Sequence, residues 1–87
     1  MVSEKVILTN EQGMHMRPAS LMSQTVTPFA SDVKIEFNGN DYDAKSVMML
    51  MTACMKCGSE ILIKCDGPDE REALKAAADL VKSGLGD

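Results

Sequence analysis

Eighty-seven residues, 45% of them hydrophobic and 25% charged, make a folded chain with room for one modest core but not for a deep cleft between domains. Nine basic residues against thirteen acidic ones leave a net charge of −4, which excludes the basic stripe expected of a nucleic-acid binder and gives no attraction to an anionic membrane. The longest weakly polar run, SVMMLMTACM, is about half the ~20 residues a membrane helix needs, so no membrane insertion is expected.

The N-terminal MVSEKVILTN mixes charges with apolar residues and lacks a signal-peptide core. Three cysteines are an odd number, and free thiols in a reducing cytoplasm are the simplest reading. Neither repeats nor linkers interrupt the chain, so one domain is expected over 1–87.

Residues 2–8 read as a strand with Val2, Val6 and Leu8 on one face, although Ile7 spoils the alternation. Asn10 and Gly13 break it. From about Met16 the apolar spacing becomes helical, through Ala19, Met22, Val26 and Phe29. Pro18 suits a first turn, and Pro28 should end this helix near residue 27.

VKIEF (33–37) alternates, with Val33, Ile35 and Phe37 inward, and Asn38-Gly39 signals a hairpin into a short strand at 41–44. Ser46 fits the N-cap of a short helix, VMMLMTA, that ends before Gly58. EILIKC (60–65) is the last strand, with Ile61, Ile63 and Cys65 on one side. A final helix over about 69–82 buries Leu74, Ala77, Ala78 and Val81 and stops at Gly84. This order, βαββαβα, implies an α+β sandwich with helices on one sheet face and water on the other.

His15 is the only histidine, and it falls where the loop enters the first helix. Unpaired N–H groups and the positive end of the helix dipole favour an anion there. The same field disfavours the imidazolium, so a neutral ring could act as a nucleophile near pH 7. Arg17 offers a forked donor for phosphate oxygens. On spacing alone, however, His-x-Arg is a weak signal, and an ordinary cap or surface histidine is the leading reading. A metal site is weaker still, with no second histidine and no carboxylate at ligand spacing.

The octapeptide GMHMRPAS (13–20) resembles the active-site signature of HPr, the histidine-containing phosphocarrier family of the bacterial phosphotransferase system. Length, element order, AKSVMMLM (44–51) and GSEI (58–61) are similar too, so the resemblance covers essentially the whole chain. It implies an open-faced sandwich with a four-stranded antiparallel sheet, two full helices and one short one. It further implies that enzyme I phosphorylates His15 on the ring nitrogen nearer the backbone, that Arg17 assists, and that sugar-specific A components receive the group. Such a protein is a carrier and not an enzyme; it needs no cofactor or metal, and a monomer is expected.

Ser46 matches the family's regulatory serine, a substrate of a dedicated serine kinase in many Gram-positive bacteria. Its N-cap role alone is worth roughly 1 kcal/mol and would explain it structurally. A phosphate there would add about two negative charges to the docking face without unfolding the helix. That face, by resemblance, comprises Met16, Ser20, Leu21, Gln24, Val47, Met48 and Met51. Met48, Met49, Met51 and Met55, in or just after one short helix, are too many for one buried stripe, so some should face outward as a pliable apolar patch.

Three positions depart from the family pattern. Met16 stands where a small residue is usual, crowding the site or retuning partner choice. Gln24 and Thr27 replace frequent basic residues, which weakens steering toward an acidic partner. Two further readings remain open: a regulatory paralogue that signals carbon or nitrogen status, and a redox or metal-responsive module using Cys54 and Cys57. In the family, small residues, often Gly at 54, occupy that loop, so the cysteines there also fit as fillers.

Overall fold

The computed structural model describes residues 1–11 and 13–85. The elements are β1 (Val2–Ile7), α1 (Met16–Val26), β2 (Asp32–Phe37), β3 (Asn40–Asp43), α2 (Val47–Thr52), β4 (Glu60–Asp66) and α3 (Glu70–Lys82). They form one antiparallel four-stranded sheet in the order β1-β4-β2-β3. The α+β open-faced sandwich expected from the sequence is the fold observed.

β4 is central because its alternation serves two neighbours at once. Val6 faces Ile61, while Ile35 faces Ile63 and Val33 faces Cys65, so one sheet face is lined by fully buried aliphatic residues and a thiol. Ile7, the residue that broke the alternation, is 53% exposed on the water side. On that side Lys34 lies opposite Lys64, a destabilising like-charge pairing, and Lys64 is answered by Asp41 at 2.6 Å and Glu36 at 3.2 Å.

The Asn38-Gly39 turn has φ of 53° and 81°, and Phe37 pairs with Asn40 across it. Two consecutive positive φ values match the twist of the flanking strands, which is why this dipeptide works here. β3 therefore starts at Asn40 and not at 41. α1 stops at Val26, with Thr27 as its C-cap, as Pro28 demands.

One core assignment needs correction. The buried stripe of α3 is Ala73, Ala77, Ala78 and Val81, whereas Leu74 is only half-buried at its flank. Spacing by four carries the row 73–77–81 onto the sheet, and three of its four buried residues are alanines that let the helix lie close. Past Lys82 the N–H of Gly84 bonds Val81 and that of Leu85 bonds Leu80, the paired bonds of a Schellman cap, and Leu85 closes the core beneath it.

Candidate functional site

Two loops meet beneath His15. The β1–α1 loop carries Leu8 to His15, and the α2–β4 loop carries Ala53 to Ser59. Leu8 donates its N–H to the Ser59 carbonyl at 2.9 Å and accepts from Gly58 at 2.8 Å. Further along, Met14 donates to the Met55 carbonyl at 2.9 Å. Met14 and Met55 are themselves buried, at 4% and 2% exposure, so the junction is closed from below by their side chains.

Gly13 is what lets these loops touch. Its φ is +68°, and a Cβ there would lie 2.3 Å from the Met55 carbonyl oxygen and 2.7 Å from the Lys56 Cα. Both are backbone atoms that cannot swing aside, so any side chain would force the loops apart. The buried Asn10 completes the loop: its side-chain amide donates to the Gly13 carbonyl, and its own carbonyl accepts from Gly13 N–H at 3.1 Å.

The chain then turns into α1 with His15 as the N-cap residue in extended conformation (φ −96°, ψ −170°), and its side chain makes no capping hydrogen bond. The His15 carbonyl accepts the first helical bond, from Ala19 at 2.9 Å. Pro18 brings no donor to this first turn, and no acidic residue lies in it. The helix therefore starts with no acid in its own first turn, a half-buried imidazole at the entry and the exposed Arg17 two residues on. Such an arrangement can receive a tetrahedral anion on the ring while Arg17 pairs with its oxygens.

The other expected site residues lie on α1 and α2, which pack against each other, with Ser23 Oγ donating to the Lys45 carbonyl at 2.8 Å between them. Met16 and Met48 are 64% and 75% exposed, Gln24 is exposed, and Ser20, Leu21, Val47 and Met51 are half-buried. Met49, 41% exposed, adds to this apolar surface, as one of the methionines of which some were expected to face outward.

Ser46 caps α2: its Oγ accepts from the Met49 N–H at 3.3 Å. Cys54 and Cys57 are exposed and Cys65 is buried. Cys54 has φ +54°, the left-handed conformation, at a position where glycine would be unstrained. Asn10, Gly13, Met14 and Met55 were the supports that sequence reasoning did not assign to the site; only Gly13 and Met14, inside the octapeptide, carried a local hint. Among the described residues, no group of three or more His, Cys, Asp or Glu side chains could hold a metal ion, and no helix is long and apolar enough to cross a membrane.

Known proteins share this arrangement. The family model described as the phosphotransferase-system HPr component phosphorylation site matches residues 2–83. The structure of HPr from Thermoanaerobacter tengcongensis superimposes with a TM-score of 0.95 at 34% identity, covering 100% of this chain and 98% of that one. HPr from Bacillus anthracis gives 0.87 at 38% identity, covering 92% and 95%. Crh, the catabolite repression protein of Bacillus subtilis, gives 0.78 at 38% identity, covering 97% of each chain, and it is a dimer with a swapping domain. That dimer leaves the expectation of a monomer without support from the relatives. The chain belongs to the HPr family, the phosphocarriers of the phosphotransferase system.

Proposed function

We propose that His15 accepts a phosphoryl group from phosphorylated enzyme I and passes it to sugar-specific A components in the cytoplasm. The observation that supports this reading most is the start of α1: a histidine at the N-cap position that does not cap, no acid in the first turn, and Arg17 two residues on. In the transfer, a P–N bond forms at the ring nitrogen nearer the backbone as the bond to the donor breaks, and Arg17 pairs with the phosphoryl oxygens. The incoming enzymes supply the rest of each active site and dock on Met16, Ser20, Leu21, Gln24, Val47, Met48 and Met51. Phosphorylation of Ser46 by a serine kinase would place its charge at the α2 start, within that face, and weaken docking.

The test combines the protein with phosphoenolpyruvate, magnesium and enzyme I. An acid-labile, base-stable phosphate should form and should be absent in His15→Ala. Stable labelling of His15→Ala would overturn the assignment. A regulatory role is the second reading, favoured by the match to Crh at the same 38% identity as the Bacillus anthracis HPr. Which phosphorylated partners accept the group from the purified protein decides between the two.

A further inference from the structure

The Cys54-Met55-Lys56-Cys57 motif is chemistry that phosphoryl transfer leaves unused. Both of its thiols are exposed, whereas Cys65 is sealed beneath the helices, where burial first, then Glu70 and Asp69, push its pKa up to about 11. Between the two exposed sulfurs the chain dips inward at Met55, the residue whose carbonyl holds Met14. The Cys57 Sγ sits 3.8 Å from the Thr9 carbonyl, on the other loop of the same junction. Each half of the motif is thus joined to the segment that presents His15.

We propose that Cys54 and Cys57 close into a reversible intramolecular disulfide that loosens the Met14–Met55 junction under His15. The consequence for transfer rests on the reading of His15 as phosphoryl acceptor; the disulfide itself does not. Three peptide steps allow at most about 10 Å between the two Cα atoms, whereas a disulfide holds them about 4.4–6.8 Å apart. The bond fixes the backbone of Cys54, Met55 and Lys56 within that range, and because it consumes the Cys57 S–H, the hydrogen bond from Cys57 to the Thr9 carbonyl is lost. Cys54 is already in a left-handed conformation that a non-glycine residue holds under strain, so this segment is the one with least to lose from rearranging.

The oxidant is a small disulfide such as oxidised glutathione. The Cys54 thiolate attacks one of its sulfurs and expels a thiolate, which takes up a proton, leaving a mixed disulfide. Cys57, giving up its proton, then attacks the Cys54 sulfur and expels the second glutathione as thiol. Two protein thiols are oxidised, one disulfide is reduced, and two thiols leave.

The whole protein, fully reduced, is titrated with oxidised glutathione and followed by alkylation and mass spectrometry. The three thiols should fall to one, with a loss of two hydrogens and with Cys65 the remaining alkylation site after unfolding. Exchange of the Met14 amide should rise about 5-fold, as expected when one backbone hydrogen bond is weakened. Phosphorylation of His15 should slow and recover with dithiothreitol, and Cys57→Ser should stop at a glutathione adduct on Cys54. Three persistent thiols, a disulfide-linked dimer, or a disulfide with unchanged Met14 exchange would each overturn the proposal. A protein that forms the disulfide and loosens Met14, yet is not phosphorylated by enzyme I when reduced, would support the disulfide and overturn the role given to His15.

Discussion

The first turn of α3 carries acids, whereas the first turn of α1 carries none. Asp69, the N-cap residue of α3, directs its carboxylate to the N–H groups of Ala30 and Ser31, both at 2.9 Å, and to the Ser31 hydroxyl. Glu70 accepts from Gly67 N–H at 3.2 Å, and Glu70 and Glu72 lie in the first turn. These acids answer the positive end of the helix from within the chain. The first turn of α1 has no acid, its N-cap is His15, and Arg17 adds positive charge. Two helix starts with the same backbone dipole thus differ: one is a joint between α3 and the turn before β2, and the other has the acid-free first turn that the proposed transfer to His15 would use.

The largest effect on this contrast should come from Arg17→Ala. Losing one charge-assisted contact to a phosphoryl group costs about 1.5–3 kcal/mol, so His15 phosphorylation should slow at least about 10-fold. The thermal midpoint should hardly move, because Arg17 is exposed and carries no core contact. Parallel rate and melting measurements check both halves.

Gly13→Ala comes next. The added Cβ meets the Met55 carbonyl at 2.3 Å in a positive-φ conformation, so a loss of about 1–3 kcal/mol in chemical denaturation is expected. Since the same junction holds the His15 loop, transfer should slow as well. The α3 joint, which shares no residue with this clamp, should be untouched, and Ser31 amide exchange would show it.

The α3 joint answers to pH instead. The Ser31 hydroxyl, the Ala30 N–H and the Ser31 N–H together hold the Asp69 carboxyl below its ordinary value of 3.8. A depressed carboxyl contributes stability that is complete above the unfolded value and is lost as pH falls through the folded one. Stability should therefore drop in acid below about pH 4, and Asp69→Asn should flatten that limb. An unchanged acid limb in Asp69→Asn would contradict the joint described here.

How far the sequence revealed these regions depended on the range of the forces involved. Alternation and turn chemistry are local, so β2, the Asn38-Gly39 turn, β4 and the Ser46 cap were readable from neighbours in the chain. The Leu74 position was misread because a stripe drawn from large apolar residues overlooks Ala73, whose small size is what fits a closely packed helix. The support of His15 and the α3 joint were invisible for a different reason: Met14 meets Met55 across 41 residues, and Asp69 meets Ser31 across 38, and no pattern along the chain encodes such meetings. His15 and Arg17 were legible as a motif, and so was the lack of acid after them, but the contrast with the acid-rich start of α3 emerges only once both helix starts are placed.

The smallest expected effect tests that last point most directly. Met16 is the first residue of α1 and is 64% exposed, so Met16→Glu would place a carboxylate at the helix start without touching the core. A negative charge there should stabilise the protein by about 0.3–1 kcal/mol through the dipole, as the acids of α3 do for their own helix. The same charge would repel an incoming phosphoryl group, so His15 should be phosphorylated more slowly by a more stable protein. Glu72→Gln, at the other helix, should do the reverse in part: it gives up a similar fraction of stability and leaves transfer unchanged. If Met16→Glu raised the denaturation midpoint and kept the full rate of phosphorylation, the absence of acid from the first turn of α1 would have no bearing on the anion, and the contrast between the two helix starts would be one of packing alone.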